Sequence, residues 1–222
     1  MNKLFRYLKI TTKRFVYKHT NSKSKPIYPY MVEPIQLAQI INELERLKNI
    51  KGNILEIGVF RGMTTRFICE YLKNTKNQNA KLYAIDTFSS FTEADINYET
   101  KYRGKKYSEI DSFNINDFNT WKKNFSMYPF VFPIKQDCSE VDYNKLAPIK
   151  LVFLDVDLYL PTKKTLTKIY RLLIPGGVIL VDDVKSKNIW DGAYQAYIEF
   201  CDEMSIKPEF IGSKCGIIRK KK

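Results

Sequence analysis

Four aspartates stand in two close pairs, Asp155 with Asp157 and Asp182 with Asp183, and each pair follows a short apolar run, Leu151 to Leu154 and Val178 to Val181. If those runs are adjacent parallel strands, all four carboxylates meet at one sheet edge. Two carboxylates at contact distance near a protein surface repel by roughly 4 kcal/mol, so four ionised together call for a cation. A magnesium-type ion, held by a few carboxylates and otherwise by water and substrate oxygen, suits that donor set. Alone, Asp182-Asp183 reads as a solvated strand end; the second pair beside it favours a metal site.

Two other apolar runs end in groups that bind ligands. Asn53 to Ile57 carries Glu56 and continues into Gly58-Val59-Phe60-Arg61-Gly62. The G-x-G-x-x-G spacing is absent, which disfavours a nicotinamide or flavin dehydrogenase. Two glycines four apart still admit a ligand close to the backbone, with a helix starting near Thr64 beside it. Lys81 to Ile85 ends at Asp86, where a carboxylate can accept both hydroxyls of a ribose; a turn or cap role is the plainer alternative. After Val131 to Lys135, Asp137 in Gln136-Asp137-Cys138 is placed to face an adenine amino group. The one histidine, His19, lies in a basic N-terminal segment and cannot be the general base. Tyrosines are protonated near neutral pH, which leaves Asp157 as the candidate base.

These residues need a sheet to bring them together. Apolar runs spaced by helical segments predict parallel strands covered on both faces. Ile35, Leu37, Ile40, Ile41, Leu44 and Leu47 recur at three and four residues after Pro34, the mark of an amphipathic helix. Thr64 to Leu72 reads as a second helix, and Pro161 to Leu173 as a third, closed by Pro175-Gly176-Gly177. Phe210 and Ile211, the Gly212-Ser213-Lys214 turn and Cys215 to Arg219 read as a closing antiparallel hairpin. Residues 88 to 125 are a polar and aromatic insertion with no clear strand, expected to act as a lid or acceptor loop. The expected organisation is a basic arm over residues 1–27 and one α/β domain over 28–222.

The excess of positive charge is confined to the tails. The chain has 222 residues and a net charge of +13, yet residues 1 to 25 carry eight basic and no acidic side chains and the last four residues are all basic. Between these tails 25 basic side chains face 24 acidic ones, whereas a nucleic-acid binder needs a basic docking face. Nucleic acid is therefore disfavoured as a partner. The arm is too poor in apolar residues for a signal peptide or a span. It reads either as a solvated basic tail or, through Leu4, Phe5 and Leu8 on one helical face, as a helix lying on an anionic membrane. Cys69, Cys138, Cys201 and Cys215 form no C-x-x-C pair, so neither zinc nor a disulfide framework is signalled. That composition suits the cytoplasm, at the inner face of its membrane if the arm binds lipid.

Taken in order, Glu-x-Gly-Val-aromatic-Arg-Gly at 56–62, Ala-x-Asp-Thr-Phe at 84–88, Leu-Asp-x-Asp-x-Tyr-x-x-Thr at 154–162 and Gly-Gly-x-x-x-x-Asp-Asp at 176–183 resemble the macrocin O-methyltransferase family. Trp190-Asp191-Gly192-Ala193 through Glu199-Phe200 resembles the family's late helix, and the likeness runs over residues 52 to 219. It implies a seven-stranded, mostly parallel Rossmann-like sheet and a metal-dependent transfer of a methyl group from S-adenosylmethionine to a sugar hydroxyl in a glycan or glycoconjugate; a catechol or other small-molecule acceptor is the alternative. It further implies methionine-moiety contacts at Glu56, Gly58 and Thr64, ribose contact at Asp86, and a metal, magnesium by preference, on Asp155, Asp182 and Asp183. Gly62, Thr87, Phe88, Asp137, Cys138 and Asp155 complete the expected cofactor contacts. Met63 departs from the family, where a second glycine is common. A homo-oligomer is compatible with all of this.

Overall fold

The structure, a computed structural model, describes residues 3–16, 30–75 and 80–221. The expected boundary at residue 27 and His19 lie outside the described residues. Seven strands form one sheet, β1 (Asn53–Ile57), β2 (Leu82–Asp86), β3 (Val131–Lys135), β4 (Ile149–Leu154), β5 (Leu173–Val181), β6 (Glu209–Ile211) and β7 (Cys215–Arg219). Their order is β3-β2-β1-β4-β5-β7-β6. The first five are parallel and β7 enters antiparallel to β5, with β6 closing the hairpin.

The central strands are largely apolar because both faces are covered, with Glu56 in β1 and Lys150 in β4 as buried exceptions. Side chains alternate between the faces, so Ile54, Leu151, Phe153, Val178 and Leu180 share one core with α2 (Pro34–Arg46), α3 (Met63–Asn74) and α6 (Phe118–Phe125). Leu55, Ile57, Val152, Leu154, Ile179 and Val181 point the other way, onto α7 (Tyr159–Leu172) and α8 (Asp191–Glu203). Pro133 sits in β3, an edge strand, where its missing N–H removes no ladder bond to an outer neighbour. All four cysteines are buried free thiols.

Two segments differ from the sequence expectation. Pro175-Gly176-Gly177 does not simply end a helix: β5 already pairs at Leu173, and a bulge lies between the Ile149–Leu173 and Leu151–Val178 pairs. Gly176, at φ 76°, makes that bulge possible. Its N–H and the Gly177 carbonyl bond the backbone of Lys220 at 2.9 and 3.0 Å.

Residues 88 to 125 hold three helices, α4 (Glu93–Tyr102), α5 (Tyr107–Ile110) and α6. The Thr92 and Asp117 side chains cap α4 and α6 by accepting from Asp95 N and Thr120 N. Helix α4 escapes a search for apolar periodicity because the side chains it buries are Asp95 and Glu99. Glu99 accepts from the Tyr159 N–H at 2.8 Å and from Arg103 at 2.8 Å. That carboxylate caps the positive N-terminal end of α7. Arg103 and Lys105 also meet Asp191 at 2.8 and 2.7 Å, which ties the insertion to the start of α8.

Candidate active site

Strand register decides which residues meet. Ile57 lies beside Ile85 and Leu154, and Leu154 beside Val181. The residues that follow, Gly58, Asp86, Asp155 and Asp182, therefore emerge side by side at the carboxyl edge, where the strand order reverses between β1 and β4. Backbone bonds extend the ladder one residue past the strands: Gly58 N to Ile85 O at 2.9 Å, and Asp155 N to Ile57 O and Asp182 N to Leu154 O, each at 2.8 Å. Gly58 has φ 81°, and a Cβ on it would stand 1.6 Å from the Asp155 carbonyl oxygen. Glycine is required there by the backbone of the neighbouring strand.

A cleft of about 250 Å³ opens at this edge. Gly58, Asp86, Thr87, Asp137, Cys138 and Asp155 line one part of it, and Asp157, Asp182, Asp183 and Lys214 line another. Phe60, Phe91, Phe113 and Trp190 form an aromatic wall, with ring centroids 5.0 to 5.8 Å apart. Five residues of the lining that are not glycine, Phe60, Ser90, Phe113, Asp157 and Asp183, have left-handed backbone conformations with φ between 43° and 73°. Such conformations cost energy and gather where a side chain must be aimed at a ligand.

Asp155, Asp157 and Asp183 each offer a carboxylate oxygen within 4.8 Å of the others. This set differs from the expected metal ligands. Asp182 turns aside: it accepts from Gln36 Nε2 at 2.7 Å, the Asp183 N–H at 2.8 Å and Lys214 Nζ at 2.9 Å. Asp157, expected to act apart from the metal, stands inside the cluster. Burial holds the Asp155 and Asp157 carboxyls well above the usual carboxylate range, and the neighbouring aspartates push the same way. Lys214 is half-enclosed; burial alone would lower its ammonium, but Asp182 and Asp183 outweigh that and raise it. Its second bond runs to Asp183 at 3.0 Å.

Asp86 accepts three backbone N–H groups, Val59 and Phe60 at 2.9 Å and Phe88 at 2.6 Å, and so fixes the turn after β1. Asp137 accepts from Ser139 N at 2.8 Å. Glu56, Gly62, Thr64 and Phe88 are not brought to the cleft wall. Glu56 is buried, its Oε2 has no hydrogen-bond partner, and burial pushes its carboxyl up to about 8, aided by Asp86 and opposed by Thr65. Phe88 lies under the insertion against Phe118 and Trp121. A Cβ on Gly62 would meet the Phe125 ring at 2.5 Å, so that glycine admits the insertion's aromatic side chains.

Sequence reasoning missed Lys214, Gln36, Glu99 and the aromatic wall. Lys214 carries no local signal, since it lies in a hairpin turn. That turn is pinned by Glu33, which accepts from the Ser213 N–H at 2.8 Å. The clustering of Phe91, Phe113 and Trp190 was legible only as an excess of aromatic residues.

Over residues 11–212 the sequence matches the Macrocin-O-methyltransferase (TylF) family. The chain belongs to that family. Its sheet is that of the class I S-adenosylmethionine-dependent methyltransferases. Mycinamicin III 3''-O-methyltransferase of Micromonospora griseorubida is 27% identical over 145 residues, which are 60% of this chain and 56% of that relative. The match thus spans little more than half of the curated relative. The fold is shared with the O-methyltransferase NovP (TM-score 0.72, 19% identity, 87% of this chain and 82% of that one). It is shared also with CalS11, a calicheamicin methyltransferase (TM-score 0.67, 18% identity, 95% and 91%). In this macrocin O-methyltransferase family member, the carboxylate cluster and the strand-end Asp86 open onto one cleft.

Proposed function

We propose that this chain transfers a methyl group from S-adenosylmethionine to a hydroxyl of a sugar, within a glycan, a glycoconjugate or a smaller glycoside, with the help of a divalent metal. The reading rests on one observation: Asp86 and the Asp155, Asp157, Asp183 cluster line one cleft at the carboxyl edge of a family-matched sheet. The donor set fits a hard cation. Three carboxylate oxygens that converge without a sulfur or imidazole ligand suit magnesium better than zinc.

In this reading Asp155, Asp157 and Asp183 would hold the ion, and Asp182 keeps Lys214 and Gln36 in place behind them. When bound, such an ion lowers the pKa of a hydroxyl set against it. Asp157 is the proposed proton acceptor, the carboxylate left for that role once histidine and the protonated tyrosines are set aside. When bound, S-adenosylmethionine would supply an electrophilic methyl group and leave as a neutral thioether, while Asp157 would take the O–H proton of the accepting hydroxyl. Glu56, Gly58, Gly62, Thr64, Asp86, Thr87, Phe88, Asp137, Cys138 and Asp155 remain the proposed cofactor contacts, of which Glu56, Gly62, Thr64 and Phe88 would act from behind the wall. The aromatic wall suits the apolar face of a sugar ring and would also receive a catechol.

Calorimetry with S-adenosylhomocysteine and labelled methyl transfer test the proposal. A sugar nucleotide such as TDP-rhamnose should accept methyl in preference to catechol, with magnesium required. Failure to bind S-adenosylhomocysteine would end the reading; transfer to catechol alone would move the acceptor class.

A further inference from the structure

Helix α1 (Lys3–Val16) has no place in the site, yet it is the most strongly two-faced element of the chain. Leu8, Thr11 and Phe15 recur at three and four residues and so share one stripe, with Phe5 and Thr12 beside it. Lys9 and Lys13 lie on the other side of the helix, and Arg14 flanks the first stripe. The helix has five basic residues and no acidic one. Phe5, Leu8 and Phe15 are 62%, 56% and 65% exposed. The two threonines do not make the apolar stripe a polar one, because their hydroxyls donate to the helix's own carbonyls, Thr11 to Tyr7 O and Thr12 to Leu8 O, each at 2.9 Å.

We infer that α1 docks this protein on an anionic lipid surface, lying in the plane of the interface with Phe5 and Leu8 at the acyl boundary and its cations among the headgroup phosphates. Charge complementarity selects that occupant. A second copy of α1 would set five positive charges against five. Nucleic acid would engage the basic stripe and leave the apolar one in water. Only an anionic bilayer receives both faces, which is the pattern of interfacial helices. Among the described residues no helix is long and apolar enough to cross a membrane, so the contact is peripheral.

The test is flotation of the full chain with vesicles of phosphatidylcholine alone or with about a third phosphatidylglycerol, comparing wild type with a Phe5→Ser, Leu8→Ser variant and a Lys9→Gln, Lys13→Gln variant. Wild type should float with the anionic vesicles and not the neutral ones. Each double variant should bind at least ten-fold more weakly, while its melting temperature and S-adenosylhomocysteine affinity stay unchanged. No flotation of wild type overturns the inference, as does equal flotation of the Phe5→Ser, Leu8→Ser variant. Wild type that does not float but elutes as an oligomer, with the Phe5→Ser, Leu8→Ser variant eluting as a monomer, would show that a second copy covers the face and would likewise overturn it.

Discussion

Glu56 offers the sharpest check on the electrostatics of the site. Its carboxyl is raised from 4.5 to about 8 by burial, so between those values the folded chain holds a proton that the unfolded chain has released. Wild-type stability must fall as pH rises through that window, by about 1.4 kcal/mol per pH unit from this group. Glu56→Gln cannot titrate, and whatever its amide costs in the core does not change with pH. The stability difference between variant and wild type should therefore shift in the variant's favour by about 2.5 kcal/mol between pH 5.5 and 7.5. For a chain of this size that moves the difference in melting temperature by roughly 5 to 10 °C. Thermal melts of ligand-free protein across that range measure it directly. With S-adenosylmethionine present that shift with pH should shrink, because in the proposed reading the ligand's ammonium favours an ionised Glu56, and calorimetry in buffers of different ionisation enthalpy should detect a proton released by wild type and not by the variant. A melting difference that stays flat with pH would mean that Glu56 is ionised in the free protein, and the account of its burial would be wrong.

Four further outcomes are expected. Asp155→Asn and Asp183→Asn should weaken magnesium binding by calorimetry and recover part of their activity at high magnesium; Asp182→Asn should keep its magnesium affinity but lose about 1.5–3 kcal/mol of stability, the range for hydrogen bonds to charged groups, and magnesium rescue of Asp182→Asn would restore it as a ligand. Asp157→Asn should lower turnover by about two to four orders of magnitude; rescue by magnesium would make it a ligand only, and near-normal turnover would remove it from the chemistry. Asp86→Ala should raise the dissociation constant for S-adenosylmethionine far more than it slows turnover, and an unchanged constant would remove it from the cofactor site. Gly58→Ala should cost more than about 3 kcal/mol in a urea melt, because its Cβ meets the Asp155 carbonyl and its φ is left-handed; a wild-type midpoint would show that the strands separate easily.

The sheet was legible because its signal is local. A short apolar run bounded by polar residues marks a strand locally, so β1 and β3 were bounded from composition alone and β2, β4 and β5 located by their apolar ends. The acidic residue or glycine after each strand was legible for the same reason, as was the family order of those residues. What composition cannot carry is direction. Asp182 and Asp183 are neighbours in sequence, yet a left-handed backbone at Asp183 sends its carboxylate to Asp155 and Asp157 while Asp182 faces Gln36 and Lys214. Gln36 is 146 residues from its partner and Lys214 sits in a turn chosen by the closing hairpin. The insertion shows the same division: its aromatic residues were visible as a group, but its anchoring by Glu99 on the end of α7 depends on a buried carboxylate that no periodicity announces. Strand positions follow from which residues avoid water, a property of each segment by itself. Which carboxylate joins Asp155 and Asp157 and which turns to Gln36 is settled by partners that only the folded chain brings within 3 Å, because charge interactions depend on distance in space and not along the sequence.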